Sequence, residues 1–300
     1  MRVTFRNSYF PVVVVLLALS ACGEKKASPT LYKGLMWEQF ITAGHDSFML
    51  GRYETAQTQY RKAFNLALLH DSASGLEEAG YNLAVTQLAE NRPQQALKTI
   101  QTTRKAVLLR KNKPLPYLLL VEAAAYDRLG YNEKAEHCAE DLLKIQDIDI
   151  AARAALILGV SADQLGDEFR LKRAIARLDQ LKKPLSPTHL ADWNELRARL
   201  LKKDNPAQAI VFAEQAAQLR QQAGAYRDMV RALILEARIT EMMGLHDKAH
   251  RLWLRAAQSA CVISGKLETI NKLETMDTAT LIRIASSITE PELSQTQALH

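Results

Sequence analysis

Glycine and proline are scarce in this sequence. The chain has 12 glycines and 9 prolines among 300 residues, whereas an average protein contains roughly 7% and 5% of these residues. Runs of alternating β-branched residues, which are typical of strands, are also missing after the first thirty residues. Since few residues break helices and no strand pattern is present, we predict an almost entirely helical protein that can bury a sizeable core.

Motifs for catalysis and for cofactor binding are also missing. The sequence has no G-x-S-x-G elbow, and Gly265-Lys266 lacks the upstream glycine of a phosphate-binding loop. His246 and His250 stand at i and i+4, a spacing that can hold a metal. No third ligand is apparent, and a structural role for these histidines is the preferred interpretation. We therefore predict no catalytic residue, no metal and no cofactor.

Neither sign of charge is in large excess. The chain carries 39 basic and 33 acidic residues, a formal net charge of +6. This mild balance permits a polar or anionic partner but gives no reason to expect nucleic acid. A small-molecule partner is not expected either.

The first thirty residues contain a short apolar segment after a positively charged start. Arg2 and Arg6 precede an apolar run from Phe10 to Leu19. That run is too short to cross a bilayer, which takes about 20 residues, but it is typical of the central region of a signal peptide.

The residues that follow, Leu19-Ser20-Ala21-Cys22-Gly23, resemble the lipobox of bacterial lipoproteins. The resemblance implies that residues 1–21 are removed, that Cys22 is acylated, and that residues 22–30 form a flexible tether. Glycine rather than aspartate after the cysteine implies a lipid anchor in the outer membrane, on its periplasmic face. An ordinary secretory signal with an incidental cysteine is the alternative.

A short pattern returns along the rest of the chain, and its first copy is Gly51-x-Tyr53-x₂-Ala56. The glycine ends one helix, an aromatic ring closes the corner, and the small alanine lets two antiparallel helices cross closely. The fourth corner departs, because Gly166 and Phe169 suggest a longer loop. The corner alanines recur at intervals of 40, 39, 39, 35 and 40 residues, at Ala56, Ala96, Ala135, Ala174, Ala209 and Ala249. A small residue also precedes most corners, at Gly44, Ala84, Ala123, Gly159 and Ala237, whereas Arg197 breaks this series.

This unit resembles the tetratricopeptide repeat, a pair of antiparallel helices of about 34 residues, and Trp193 and Leu196 match its W-x₂-L opening. The predicted fold is an all-α solenoid of about six such hairpins over residues 31–264. Capping helices at 265–290 and a loose tail at 291–300 complete it. HEAT-type repeats have a compatible period and remain an alternative. Cys138 and Cys261 fall in the second helices of the third and sixth hairpins, too far apart for a disulfide.

The resemblance implies a binding scaffold whose inner face is lined by the first helix of each pair. We predict a membrane-anchored adaptor that is not an enzyme and that binds an envelope protein or peptide through this groove. A self-associating architectural protein and an enzyme with an unfamiliar site are the alternatives. The predicted groove residues are Asn82, Val85, Val121, Asn194, Glu195 and Arg238.

Positive charge is concentrated between residues 170 and 203. In this segment only Asp179, Asp192 and Glu195 oppose ten basic residues, which predicts a patch for an anionic partner. The alternative is a solvated face whose charges point in several directions. The ten residues are Arg170, Lys172, Arg173, Arg177, Lys182, Lys183, Arg197, Arg199, Lys202 and Lys203.

Overall fold

The computed structural model describes residues 29–110, 116–181 and 185–289, with side chains in the first helix from residue 35 onward. The predicted signal peptide, Cys22, Lys182, Lys183 and the tail at 291–300 lie outside the described residues. Within these ranges the chain forms fourteen α-helices and one short 3₁₀ helix, with no strand. No helix in the described part is long and apolar enough to cross a membrane.

The helices pack in consecutive antiparallel pairs, and each pair packs against the next. This arrangement confirms the predicted all-α solenoid of six hairpins. The first helices of the pairs are α1 (Pro29–Met49), α3 (Ala73–Ala89), α5 (Pro116–Arg128), α7 (Ile148–Leu165), α9 (Pro187–Leu201) and α11 (Tyr226–Met242). The second helices are α2 (Tyr53–Leu69), α4 (Pro93–Leu108), α6 (Asn132–Leu142), α8 (Glu168–Asp179), α10 (Pro206–Gln222) and α12 (His246–Ile263).

The chain after α12 covers the last hairpin. It forms α13 (Leu267–Ile270), a 3₁₀ helix (Leu273–Thr275) and α14 (Thr278–Ser286). Leu281 and Ala285 of α14 are fully buried in the same apolar cluster as Trp253 of α12. These residues shield an apolar face that no further hairpin covers, so the prediction of capping helices is confirmed.

The corner residues explain why five of the six hairpins turn where they do. Gly51, Gly130, Gly166 and Gly244 have φ between 69° and 75°, and Asn91 takes the same left-handed conformation with φ 61° at the second corner. Glycine and asparagine adopt this conformation more readily than other residues. At each corner except the fourth, the predicted alanine stands at the fourth position of the second helix. These alanines are at most 2% exposed, as expected for a close helix crossing.

The prediction of a longer loop at the fourth corner is wrong. Helix α7 ends at Leu165 and α8 begins at Glu168, so only Gly166 and Asp167 lie between them. Leu171, which is 3% exposed, holds the fourth position of α8, and Ala174 lies almost one turn further along. Leu171 follows Gly159 by 12 residues, as Ala56 follows Gly44. The prediction aligned the repeats on their alanines instead of on this 12-residue spacing, and it therefore placed the fourth corner too late in the sequence.

The aromatic residues at the corners differ in burial. Tyr53 at the first corner is half-buried, and its ring lies 5.4 Å from that of Phe48 between centroids. Tyr131 is 50% exposed and Phe169 is 72% exposed. The Tyr131 ring lies against Tyr126 at 6.3 Å between ring centroids, and the ammonium of Lys134 lies 5.2 Å from the Tyr131 centroid. The exposed rings of Tyr131 and Phe169 contribute to the surface more than to the core, so the small residues set the helix crossing at these two corners.

The solenoid curls until its second hairpin contacts its sixth hairpin and the end of the cap. Arg227 of α11 donates from Nη1 to the Ile288 carbonyl at 2.6 Å and to Asn91 Oδ1 at 2.9 Å. Its Nη2 donates to the Ala89 carbonyl at 3.1 Å. Asn91 Nδ2 in turn donates to the Ser287 carbonyl at 3.3 Å. We call this set the Arg227 bridge, and it closes one side of the inner surface.

Candidate binding cleft on the inner surface

A cleft follows the inner surface of the solenoid and has two halves of different character. We call it the inner cleft. Its apolar half has a volume of about 310 Å³, and its basic half has a volume of about 220 Å³. Asp127, Arg128, Val160 and Arg231 border both halves, so the two are continuous. Its lining comes mainly from the first helices of the pairs, as the tetratricopeptide resemblance implies.

The apolar half lies between α3, α5 and α7. Its side chains recur at i and i+4 or i+3, which places them on one face of each helix. Most of this surface is already covered by neighbouring helices, which makes this half a narrow slot. For example, Val121, Leu156 and Val160 are 4–5% exposed. The apolar lining residues are Val85, Leu88, Ala89, Leu120, Val121, Ala124, Leu156, Ile157 and Val160.

The basic half lies between α5, α7, α9, α11 and the end of the cap. Six cationic side chains face two carboxylates, Asp127 and Asp163. Ile288 and Thr289 border the same half, which places the Arg227 bridge at its edge. The six cationic residues are Arg128, Arg199, Lys202, Arg227, Arg231 and Arg238.

Several of these cations belong to a network of ion pairs beneath the cleft, centred on Glu195 of α9. The Glu195 carboxylate is fully buried and accepts from Arg199 at 2.7 Å, from Arg231 at 2.9 Å and from Arg220. Arg220 is 2% exposed and also pairs with the fully buried Asp192 at 3.0 Å. We call this network the central ion cluster. Its members are Arg153, Asp163, Asp192, Glu195, Arg199, Lys202, Arg220, Asp228 and Arg231.

The cluster keeps two of its carboxylates, Glu195 and Asp228, ionised. Burial acts to raise the pKa of Glu195, but attraction from Arg220, Arg231 and Arg199 outweighs it and holds the pKa well below its usual value. The same balance applies to Asp228, where Arg231 and Arg153 overcome burial and lower the pKa. Since a buried carboxylate is stable only when it is paired and hydrogen-bonded, the cluster ties α7, α9, α10 and α11 together.

Arg128 and Arg227 differ from the other cations of the cleft. Arg128 donates to the Leu88 carbonyl and Arg227 donates to the Ala89 carbonyl, so both bind the C-terminal end of α3. A positive charge is favoured there by the helix dipole. The direct partners of these two arginines among the described residues are uncharged oxygens rather than carboxylates. Burial, together with repulsion from Arg227, lowers the pKa of Arg128 to about 10.

Asp127 does not neutralise these arginines fully. Burial raises the pKa of this carboxyl, although Arg231, Arg128 and Arg199 act in the opposite direction. Its polar contact is with the Ser161 hydroxyl, which donates to Oδ1 at 3.5 Å. Within the described part of the chain no carboxylate forms an ion pair with Arg128 or Arg227, although Asp228 attracts both electrostatically.

The predicted groove residues fall in different places. Val85 and Val121 line the apolar half, and the exposed Arg238 lines the basic half. Asn194 is 3% exposed and Glu195 is fully buried, so neither presents a surface to a partner. Asn82 is half-buried on α3 and does not line the cleft.

The predicted basic patch is not an unbalanced surface over its described residues. The count over residues 170–203 left out carboxylates that precede this segment in sequence. Several of these carboxylates pair with its basic residues. Arg170 pairs with Glu136 at 3.0 Å, and Arg173 pairs with Glu140 at 2.9 Å. Lys202 pairs with Asp163 at 2.6 Å. Further pairs join Lys172 to Glu168, Arg197 to Asp179 and Arg199 to Asp163, while Arg177 donates to the Leu143 and Ile145 carbonyls.

The remaining candidate residues have structural surroundings. Cys138 and Cys261 lie in α6 and α12 as free thiols, and burial raises the pKa of Cys138 to about 11. His250 Nδ1 lies 2.9 Å from the Thr278 hydroxyl, a contact that joins α12 to the start of α14. Within the described ranges no three His, Cys, Asp or Glu side chains come together as a metal site would require.

Sequence reasoning missed Arg128, Arg227 and most of the central ion cluster. One signal was available, because Asp192, Glu195 and Arg199 follow each other at i, i+3 and i+7 on a single helix face. Their counter-charges, Arg153, Arg220 and Arg231, come from three other helices, and no local pattern indicates that pairing. The same holds for Arg227, whose partners lie 61 to 138 residues away.

The fold is similar to that of solved tetratricopeptide-repeat structures. One is a tetratricopeptide repeat protein from Parabacteroides merdae ATCC 43184, with a TM-score of 0.52 and 16% identity over 85% of this chain and 100% of that chain. Pseudomonas aeruginosa pilF has a TM-score of 0.47 and 16% identity, covering 81% of this chain and 99% of that chain. The TPR2AB-domain:pHSP90 complex of yeast Sti1 has a TM-score of 0.33 and 16% identity, covering 85% and 100%.

No family model and no curated protein matches the sequence. The likeness to the Parabacteroides merdae protein, at a TM-score of 0.52, shows the fold alone. The other two TM-scores, 0.47 and 0.33, are too low to support a conclusion. The protein is thus an α-solenoid of the tetratricopeptide-repeat type, which confirms the predicted fold. What it binds has to be argued from its own surface.

Proposed function

We propose that this protein is a lipid-anchored scaffold of the bacterial envelope that binds another protein. The lipobox-like residues around Cys22 support the anchor, and the six-hairpin solenoid supports the scaffold. The same lipobox resemblance supports attachment to the periplasmic face of the outer membrane. Binding rather than catalysis is favoured, because the strongly shifted carboxylates Glu195 and Asp228 are held in ion pairs with arginines.

The observation that carries the proposal is an exposed surface between the third and fourth hairpins. A depression of about 490 Å³ there is lined by Leu165 and by four carboxylates, Glu133, Glu136, Glu140 and Asp167. Phe169 of α8 lies in sequence between the lining residues Asp167 and Arg170 and is 72% exposed. Exposed large apolar side chains rimmed by charge are typical of protein-binding surfaces.

The chemistry of this surface indicates the kind of partner. Arg170 and His137 also line the depression, and Arg170 pairs with the buried Glu136 and with Asp167. Glu133 is exposed there and offers negative charge to a partner. We infer a protein segment that presents an apolar or aromatic side chain next to basic ones. The Arg227 bridge favours this outer surface over the inner cleft for such a segment, because it obstructs an extended chain along the inner surface.

Crosslinking from Phe169 tests the protein-binding role. We expect the full chain with a photoreactive phenylalanine at position 169 to form a covalent adduct with one major envelope protein in growing cells. The matched control places the same residue at Gln94, which is exposed on α4. Mass spectrometry would identify the adduct. Equal or absent crosslinking at both positions would contradict the proposed surface.

Replacing Cys22 tests the anchor separately. We expect Cys22→Ser to abolish incorporation of a clickable fatty acid into the protein and to release any processed chain from the membrane fraction. Cys138→Ser is the control, because this thiol lies within α6 and is half-buried. Unchanged acyl labelling of Cys22→Ser would mean that the cysteine is incidental.

A further inference from the structure

Arg128 and Arg227 have hydrogen-bonding capacity left over in the inner cleft. A guanidinium has five N–H donors. Among the described residues Arg128 makes one hydrogen bond and Arg227 makes three, all to uncharged oxygens. Both side chains line the basic half, so their remaining donors are available to an anion there. Carboxylate and guanidinium form strong charge-assisted hydrogen bonds.

The apolar half limits the thickness of anything that enters it. Its walls include Leu88, Val121 and Ile157, which are 5–8% exposed. A helix with its side chains is about 10–12 Å across and would have to separate α3, α5 and α7. The volume of about 310 Å³ lies near the lower end of the range for small-ligand pockets, about 300–1,000 Å³.

An extended peptide would also fit this half poorly. The walls are formed by side chains of helices whose backbone groups are already hydrogen-bonded, and they offer no strand edge. A peptide lying there would bury backbone N–H and C=O groups without partners, which is unfavourable. A hydrocarbon chain has no such groups. The charged side chains of this half are Asp127, Arg128, Arg153, Asp228 and Arg231. Three of them, Asp127, Arg128 and Arg231, also line the basic half, and three, Arg153, Asp228 and Arg231, belong to the central ion cluster.

We propose that the inner cleft binds a fatty acid, with its carboxylate at Arg128 and Arg227 and its hydrocarbon chain in the apolar half. Charge complementarity fixes the direction of the ligand, because the two arginines lack a direct carboxylate partner of their own. The Arg227 bridge closes one edge of the carboxylate site and contributes the arginine that binds it. This site does not depend on the proposed protein partner, whose surface lies at the corners of the third and fourth hairpins.

Photolabelling tests the site on the full chain in lipid nanodiscs, with a diazirine-bearing decanoic acid as the probe. We expect the label on residues of the apolar half, such as Val121 and Leu156. An excess of decanoate should compete, whereas decanol, which has the same chain without the charge, should compete about tenfold less well. This comparison uses the wild-type chain and does not depend on how a variant folds.

Variants locate the two ends of the ligand. Arg128→Gln should reduce labelling about tenfold, and Ala124→Phe should block it by filling the slot. Lys98→Gln and Ala223→Phe make the same changes at exposed positions outside the cleft and should label like the wild type. The proposal would be overturned if the label were spread over the surface. It would also be overturned if decanol and decanoate competed equally, or if Ala124→Phe were labelled in full.

Discussion

Replacing Glu195 by glutamine is expected to lower the free energy of unfolding by about 3–5 kcal/mol. The substitution keeps the size of the side chain but removes the charge that Arg199, Arg220 and Arg231 share. These guanidinium groups then repel one another without a central carboxylate. The native state of a typical domain is stable by only about 5–15 kcal/mol, so the variant should be strongly destabilised.

Urea denaturation followed by circular dichroism would measure this effect. Glu54→Gln is the matched control, because the Glu54 side chain is 85% exposed and lies 3.8 Å from Arg92. Surface charges of this kind contribute little to stability, and the control should unfold at the wild-type midpoint. If both variants unfolded at the same urea concentration, the central ion cluster would not be a main source of stability.

The stability of the wild type and that of Glu195→Gln should depend differently on pH. The pKa of Glu195 in the folded state lies below its usual value of 4.5. As the pH falls below about 4.5, the unfolded state takes up a proton at this group and the folded state does not. The stabilisation by Glu195 is therefore complete above this pH and declines below it. We expect the difference between wild type and Glu195→Gln to narrow on acidification.

The sequence predicted the fold well because the fold is built from local features. Most hairpins repeat the same local features: a corner glycine or asparagine, a small alanine and an apolar helix face. Each feature determines the structure of residues close to it in sequence. These features determine the number of hairpins and place the corner alanines of five of them correctly. The prediction for the fourth corner was wrong because Leu171 takes the place of the alanine there. A pattern that requires alanine does not recognise leucine at this position.

The cleft was predicted only in part because its charged residues act over long sequence separations. Val85 and Val121 could be found from the groove position alone. Arg227 contacts Ala89 and Asn91 only because the hairpins between them curl and bring the sixth hairpin back to the second. The curvature depends on how successive hairpins pack, which no single repeat determines.

The same limitation explains the predicted basic patch. The count over residues 170–203 treats neighbours in sequence as neighbours in space. In a solenoid, each helix faces the hairpin before it and the hairpin after it. Counter-charges of α8 therefore lie on α6, at Glu136 and Glu140, and those of α9 lie on α7 and α8, at Asp163 and Asp179. A charge count is informative here only after the repeat register is known.

Replacing Trp253 by alanine is expected to cost about 3–5 kcal/mol of stability. Trp253 is 1% exposed and lies in a cluster with Leu233 of α11 and with Leu281 and Ala285 of α14. Removing the indole leaves a cavity between the last hairpin and its cap. Because the cap depends on this contact, hydrogen exchange at the amides of α14 should accelerate more than at those of α3.

Trp253→Phe provides the control that separates packing from hydrogen bonding. The indole N–H of Trp253 is buried and has no hydrogen-bond partner among the described residues. Phenylalanine fills much of the same space and removes this unsatisfied donor, so it should cost markedly less than alanine in a thermal melt. If the phenylalanine variant were as unstable as the alanine variant, the volume left by the indole would not set the cost of the alanine substitution. If neither variant changed the melt or the exchange of α14, the cap would not depend on Trp253.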